Sequence, residues 1–157
     1  MVKNTKNYWL RIPSQTDNLE LIRTFVAGVA RKVGFGDDDV NKIELSVDEA
    51  CTNVIEHAYH RDERQNIDIA IQIDYKKFTV VVTDRGNTFN FKDIRLPDMD
   101  SYLAELRVGG LGIYLIKSLM DEVEYLSEPG KKNEVRMVKY FLEKPSTAPG
   151  VSRDAVR

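Results

Sequence analysis

The order of patterned segments in this chain predicts an α+β fold. The expected architecture is a two-layer sandwich, with helices on one face of a mixed, mostly antiparallel sheet. Three observations lead there. Two helix-patterned segments follow one another with no strand between them. Alternating segments come in adjacent pairs, as the arms of hairpins do. Strands and helices do not alternate singly, as a doubly wound chain would require. The order reads β-α-α-β-β-(lid)-α-β-β.

Tyr8 to Ile12 alternates as a strand, and Pro13 ends it. "SQTDNLELIRTFVAGVARKVG" follows as a helix. Ser14, Thr16, Asp17 and Asn18 at its start are capping types, and Leu19, Ile22, Phe25, Val26 and Val29 form its apolar stripe. Gly34 and Gly36 close it. The second helix is "DDDVNKIELSVDEACTNVIEHAYH", with acidic residues at its positive end. Its buried face is predicted at Ile43, Val47, Ala50, Val54 and Ala58. "QNIDIAIQIDY" and "KFTVVVTD" read as a hairpin around "YKK". The weakly periodic stretch from Gly86 to Val108 is too long for an ordinary connection and reads as a functional loop or lid. A helix is expected from about Gly112 to Met120, and "DEVEYLSE" with "NEVRMVKYFLE" reads as a closing hairpin around "PGKKN". Residues 1–143 are expected to form one domain, and the polar, proline-containing stretch 144–157 a disordered tail.

With 157 residues, 42% of them hydrophobic and 31% charged, the chain has the balance of a single soluble globular domain. A net charge of −2 gives no support to non-specific nucleic-acid binding. Cys51 is the one cysteine, so an intrachain disulfide is excluded and a reducing compartment is expected. "MVKNTKNYWLRIPS" lacks the apolar core of a signal peptide, and no apolar run is long enough to span a bilayer. A cytoplasmic location is the resulting expectation.

Three elements could carry chemistry. Glu49, Asn53 and His57 recur at intervals of four on the second helix and form one polar line beside its apolar face. There a carboxylate can accept a proton and an amide oxygen can ligate a hard cation such as Mg²⁺, which takes few protein ligands when phosphates supply others. The same line would also serve as a plain solvated helix edge. Asp84 ends an apolar strand, with Gly86 two residues later. An ionised carboxylate there can accept from the exocyclic amino group of adenine, with Gly86 close to the ring, and D-x-G is equally a common turn. Gly109, Gly110 and Gly112 stand at a helix start, where bare backbone N–H groups suit phosphate. The pattern is neither a P-loop nor the dinucleotide fingerprint, and a hinge followed by a helix would look the same.

In this order the three elements resemble the GHKL ATP-binding (Bergerat-type) fold of histidine kinases, gyrase-type ATPases and the Hsp90 chaperone. The similarity is greatest to the bacterial anti-sigma factor serine-protein kinases, over about Tyr8 to Leu142. "ELSVDEACTNVIEHAY" resembles their asparagine box, "VVTDRGNTFNF" and "GGLGIYLIKSLMDEVEY" their two glycine boxes, and "NEVRMVKYF" their closing strand. Thr88 stands where the wider fold has a second glycine, and small polar residues there are familiar in the anti-sigma kinases. Glu56 replaces a lysine of the histidine kinases, and no helical hairpin with a phosphorylatable histidine is read.

The resemblance implies a protein serine/threonine kinase that uses ATP and Mg²⁺, phosphorylates a small anti-sigma-factor antagonist and sequesters a sigma factor. By it, Glu49 would be the general base, Asn53 would hold Mg²⁺, and Asp84 would bind adenine beside Gly86. Gly109, Gly110 and Gly112, with Leu111 between them, would line the triphosphate. In "PSQTDNLELIR", Asn18 and Arg23 fall near the family's partner surface, and Arg23 is carried over as the partner-binding candidate. A homodimer is implied, without contact to nucleic acid or membrane. The alternative class is a non-catalytic module that binds nucleotide and holds another signalling protein.

Overall fold

The structure, a computed structural model, describes residues 5–60, 62–86 and 110–141. Beyond Gly86, the expected lid lies outside these residues, as do Thr88, Gly109 and the expected tail. Five strands form one sheet in the order β1-β2-β3-β5-β4. They are β1 (Lys6–Pro13), β2 (Asn66–Ile73), β3 (Lys77–Asp84), β4 (Glu122–Glu128) and β5 (Lys132–Tyr140). Every pairing is antiparallel, so the expected mixed sheet is uniform among the described residues. The helices are α1 (Leu19–Lys32), α2 (Asp37–Asn53) and α3 (Gly110–Leu119).

Alternation builds the sheet. In β2, Ile67, Ile69, Ile71 and Ile73 are buried, and in β3 Phe78, Val80 and Val82 lie beside them. The helices complete the core with Ile22, Val26 and Val29 of α1 and Val40, Ile43, Val47 and Ala50 of α2. Leu19 and Phe25 pack against that core less deeply. Each fully buried Ile, Val or Phe contributes roughly 1.5–3 kcal/mol, against about 0–1 kcal/mol for an exposed ion pair. The apolar layer therefore holds the elements in place.

The helix ends depart from expectation in two respects. None of the four capping candidates caps α1. A 3₁₀ turn, Thr16–Asn18, precedes the helix, and the Asn18 amide instead donates to the Pro13 carbonyl at 2.9 Å. Ser14 is fully buried and its N–H donates to Gln65, prolonging the β1–β2 edge. At the other end, Gly34 has φ +106°. Its N–H bonds to Arg31 and that of Phe35 to Ala30, which is a Schellman closure. Gly36 stands at the start of α2 and does not belong to the closure of α1.

The second helix changes pitch before it stops. Val54–Ala58 is a π turn, and the Tyr59 N–H bonds to the Val54 carbonyl at 2.9 Å. π turns occur often at functional sites, because the extra residue re-aims the side chains beyond it. At the far end of α3, the Lys139 ammonium, buried on β5, donates to the Leu119 carbonyl at 3.1 Å. Asp121 and Asp39 lie 3.7 and 3.8 Å from it. A cation at a helix C-terminus is favourable, and here it ties α3 to the sheet. No described helix is long and apolar enough to cross a membrane.

Candidate functional site

Glu49 and Asn53 lie one turn apart on α2, on its half-buried edge. They converge on Gly112 in the first turn of α3. A Cβ at Gly112 would sit 2.7 Å from Glu49 Oε2, 3.4 Å from Asn53 Nδ2 and 3.7 Å from Asn53 Oδ1. The sequence motifs of the two helices, some sixty residues apart, thus meet face to face, and a side chain at Gly112 would fill the space they share. Among the described residues, neither the Glu49 carboxylate nor the Asn53 amide makes a hydrogen bond to protein. Burial raises the Glu49 carboxyl above its ordinary value, and the negative charges of Asp48 and Glu56 raise it further. A carboxylate held there is a better proton acceptor than an exposed one. Gly110 and Leu111 belong to the same first turn by backbone.

His57, the third member of the line, falls beyond the α-helical part of α2. It lies in the π turn, where one more residue per turn moves it round the axis. Its Nε2 is 4.0 Å from its neighbour Glu56.

Asp84 forms the other end of the site, and it is 6% exposed. Its Oδ1 accepts from the Gly86 N–H at 2.9 Å and from Asn133 Nδ2 at 2.9 Å. Burial pushes this carboxyl up, and the bonds from Asn133 and Gly86 pull it back toward the ionised form. Gly86 is held tightly against the π turn. A Cβ there would collide with the Ala58 carbonyl oxygen and come within 2.6 Å of its carbon. The glycine is therefore required by a close approach within the protein, which D-x-G alone did not reveal. The Tyr59 hydroxyl fixes the same corner: it donates to the Asn66 carbonyl at 2.8 Å and accepts from the Arg85 N–H at 2.7 Å. The π turn thus links Asn53 at one end of the site to Gly86 at the other.

Asn133 and Tyr59 were not among the expected site residues. The signal for Asn133 was its place in the strand pattern. Asn133, Val135, Met137 and Lys139 are alternate, buried residues of β5, so a polar side chain begins an inward line and needs a polar partner.

Arg23 lies away from these groups, on α1. Its guanidinium bonds to Asp48 Oδ1 at 2.7 Å, one residue before Glu49. With Glu20, Thr24, Ala27, Gly28, Arg31 and Glu44 it lines a shallow surface groove. Among the described residues, no cluster of His, Cys, Asp or Glu could hold a metal by itself. A cation here would need ligands beyond the protein, as the single Asn53 amide would with phosphates. Cys51 is fully buried, and burial pushes its thiol well above the usual range, so it is inert.

Residues 12–139 match the family model described as a histidine kinase-like ATPase domain. The chain is 34% identical over 146 residues to the serine-protein kinase RsbW of Bacillus subtilis, with 89% of each chain covered. It is 33% identical over 137 residues to the RsbW of Bacillus velezensis, with 84% of each covered. Among solved structures, the SiaB–SiaC complex of Pseudomonas aeruginosa contains a chain with the same fold. The TM-score is 0.63 at 14% identity, over 83% of this chain and 88% of that one. The RsbU and RsbW domains of a Mycobacterium tuberculosis protein give the same score and identity over 85% of this chain, which spans 32% of theirs.

Proposed function

This chain belongs to the histidine kinase-like ATPase family as a protein serine/threonine kinase, and from that premise we propose its substrate, its partner and the work of each site residue. The kinase phosphorylates a serine or threonine of a small anti-sigma-factor antagonist and, in a second state, holds a sigma factor. Two copies of the chain pair to do so. The observation that carries the reading is the meeting of Glu49 and Asn53 with the bare face of Gly112.

ATP is the phosphoryl donor. Its adenine amino group donates to Asp84, and Gly86 lies beside the base. Gly110, Leu111 and Gly112 present backbone N–H groups to the phosphates at the start of α3, where the helix dipole favours negative charge, and Gly109, before them in the sequence, is assigned to the same phosphates. Asn53 would hold Mg²⁺, which would supply positive charge against the phosphates. Glu49 accepts the proton of the attacking hydroxyl as its oxygen bonds to the γ-phosphorus and the bond to ADP breaks. Phosphoryl transfer is mostly positioning and electrostatics, so few catalytic side chains suffice. The raised Glu49 carboxyl, without a hydrogen-bond partner among the described residues, suits a base that must both take and release a proton. Arg23 and the groove beside it form the face that meets the partner protein.

The test is incubation with ATP–Mg²⁺ and the cognate antagonist, followed by mass spectrometry. Phosphoserine or phosphothreonine on the antagonist is expected, and its absence refutes the substrate. Pull-downs with ATP and with ADP test the second state: a sigma factor retained with ATP supports it, and none in either condition refutes it.

A further inference from the structure

Asn133, the second residue of β5, lies directly opposite Asp84, the last residue of β3. Both are buried, at 9% and 6% exposure. The Asn133 Nδ2 donates to Asp84 Oδ1 at 2.9 Å and to the Gly86 carbonyl at 3.2 Å. A carboxylate and a carbonyl can only accept, so the amide must turn its NH₂ toward both. Its own oxygen, on the other side, accepts from the Ser127 hydroxyl at 2.8 Å. Ser127 is the register partner of Asn133 on β4. A chain of bonds thus runs from β4 through β5 to the end of β3. With Gly86 also donating, Oδ1 of Asp84 receives two bonds, and Oδ2 receives none among the described residues.

We propose that Asn133 is a positioning residue that sets the base specificity of the nucleotide site, by fixing the Asp84 carboxylate so that Oδ2 faces the base as an acceptor. This rests on the reading of Asp84 as the adenine contact. The chemistry of discrimination follows from the amide. An acceptor matches the 6-amino group of adenine and repels the 6-oxo group of hypoxanthine. Without a donor from Asn133, a carboxyl this buried is driven toward its neutral acid, whose O–H can donate to a 6-oxo group. The neighbouring titratable group from the helix side is Tyr59, whose hydroxyl burial also raises, so it stays neutral. Arg85, next in the chain, engages it through its backbone N–H.

Calorimetry of the full chain with Mg²⁺ and either ATP or inosine triphosphate tests the proposal, using the wild type, Asn133→Leu and Asp84→Asn. The wild type should prefer ATP. Asn133→Leu should weaken ATP by about 10- to 100-fold, the worth of a hydrogen bond to a charged group, and leave inosine triphosphate nearly unchanged. Its remaining ATP affinity should rise with pH as Asp84 ionises. An unchanged preference, or equal loss of both nucleotides, overturns the proposal, because a merely structural role would weaken both alike. If Asp84→Asn binds ATP as the wild type does, the reading of Asp84 itself fails, whatever Asn133 does. Should Asn133→Leu not fold, Ser127→Ala decides. It removes an exposed hydroxyl and should reduce the preference about threefold, on the lower edge of a neutral hydrogen bond. No reduction overturns the proposal.

Discussion

The two ends of the site are built on opposite principles. At the Asp84 end, buried groups are joined by hydrogen bonds from β3, β5 and the helix terminus. At the Glu49 end, two polar side chains stand half-buried against a glycine, without a hydrogen-bond partner among the described residues. The first end is pre-ordered, so a ligand there meets a carboxylate already aimed. The second is left unsatisfied, and an unsatisfied polar pair beside a bare helix start is complete only when a ligand supplies the missing partners. In the proposed reading, recognition at Asp84 and chemistry at Glu49 are separated by the π turn Val54–Ala58.

The largest expected effect falls on the open end. Glu49→Gln should lower phosphoryl transfer by roughly 10²–10⁴-fold, the usual worth of a general base, while ATP still binds. The same change should raise thermal stability at neutral pH. The folded Glu49 carboxyl titrates above its unfolded value. A group of that kind stabilises the fold below its unfolded pKa, and the contribution is lost as pH rises through the folded pKa. Glutamine, neutral at every pH, keeps it. Melts at pH 7 and at about pH 4, near the unfolded value for glutamate, should therefore show a difference that disappears in acid. A variant no more stable than the wild type at pH 7 would mean that the charge is not strained.

Gly112→Ala is the next test of the open end. The new Cβ would meet the flexible tip of Glu49, which can move aside, so the fold should survive. The base would be displaced, and misplacement by about 1 Å can cost about 10²-fold in rate. A cooperative melt like that of the wild type, with transfer down by that order, is expected. Undiminished transfer would separate Gly112 from the base.

Gly86→Ala probes the closed end and should act in the opposite manner. Its Cβ would meet the backbone of Ala58, which cannot give way as a side-chain tip can. Overpacking of this kind costs about 1–3 kcal/mol, and each kcal/mol lowers Tm by about 2–4 °C in a chain of this size. Denaturation should show that loss even without nucleotide. If stability held and only ATP binding suffered, the glycine would serve the ligand alone.

The same contrast marks what could be read in the sequence. Periodicity carried the strands, the helices and their buried faces, because alternation and 3.6-residue spacing are local. Glu49, Asn53 and Gly112 were legible because each lies at a marked place in a motif. What no local pattern carried was the register between distant strands. Asp84 faces Asn133 only because β5 inserts between β3 and β4. The closing hairpin was visible, but its "PGKKN" turn gave Asn133 the appearance of a turn residue, although it begins an inward line. The π turn escaped for a related reason: the step of four from Asn53 to His57 fits an α-helix, and the pitch change depends on the tertiary packing at Gly86 and Tyr59. The capping types before α1 were present, yet the sheet edge claimed Ser14 and Asn18 first.

Arg23→Ala should have the smallest effect on stability and the most particular effect on rate. Its bond to Asp48 is partly exposed, with side chains at 37% and 21%, so its loss should cost about 0–1 kcal/mol. Partner binding, by the role proposed for α1, should fall while ATP binding stays. Asp48 is also the charge that raises the Glu49 carboxyl most, after burial itself. Removing the guanidinium leaves that negative charge unopposed beside the base. The base must be ionised to act, so the acid limb of the transfer rate against pH should move to higher pH. A limb that stays in place, with partner binding lost, would confine Arg23 to the surface. A limb that moves would show that the partner-facing helix is electrically joined to the open end of the site, since a partner that draws Arg23 away from Asp48 would retune the base in the same direction.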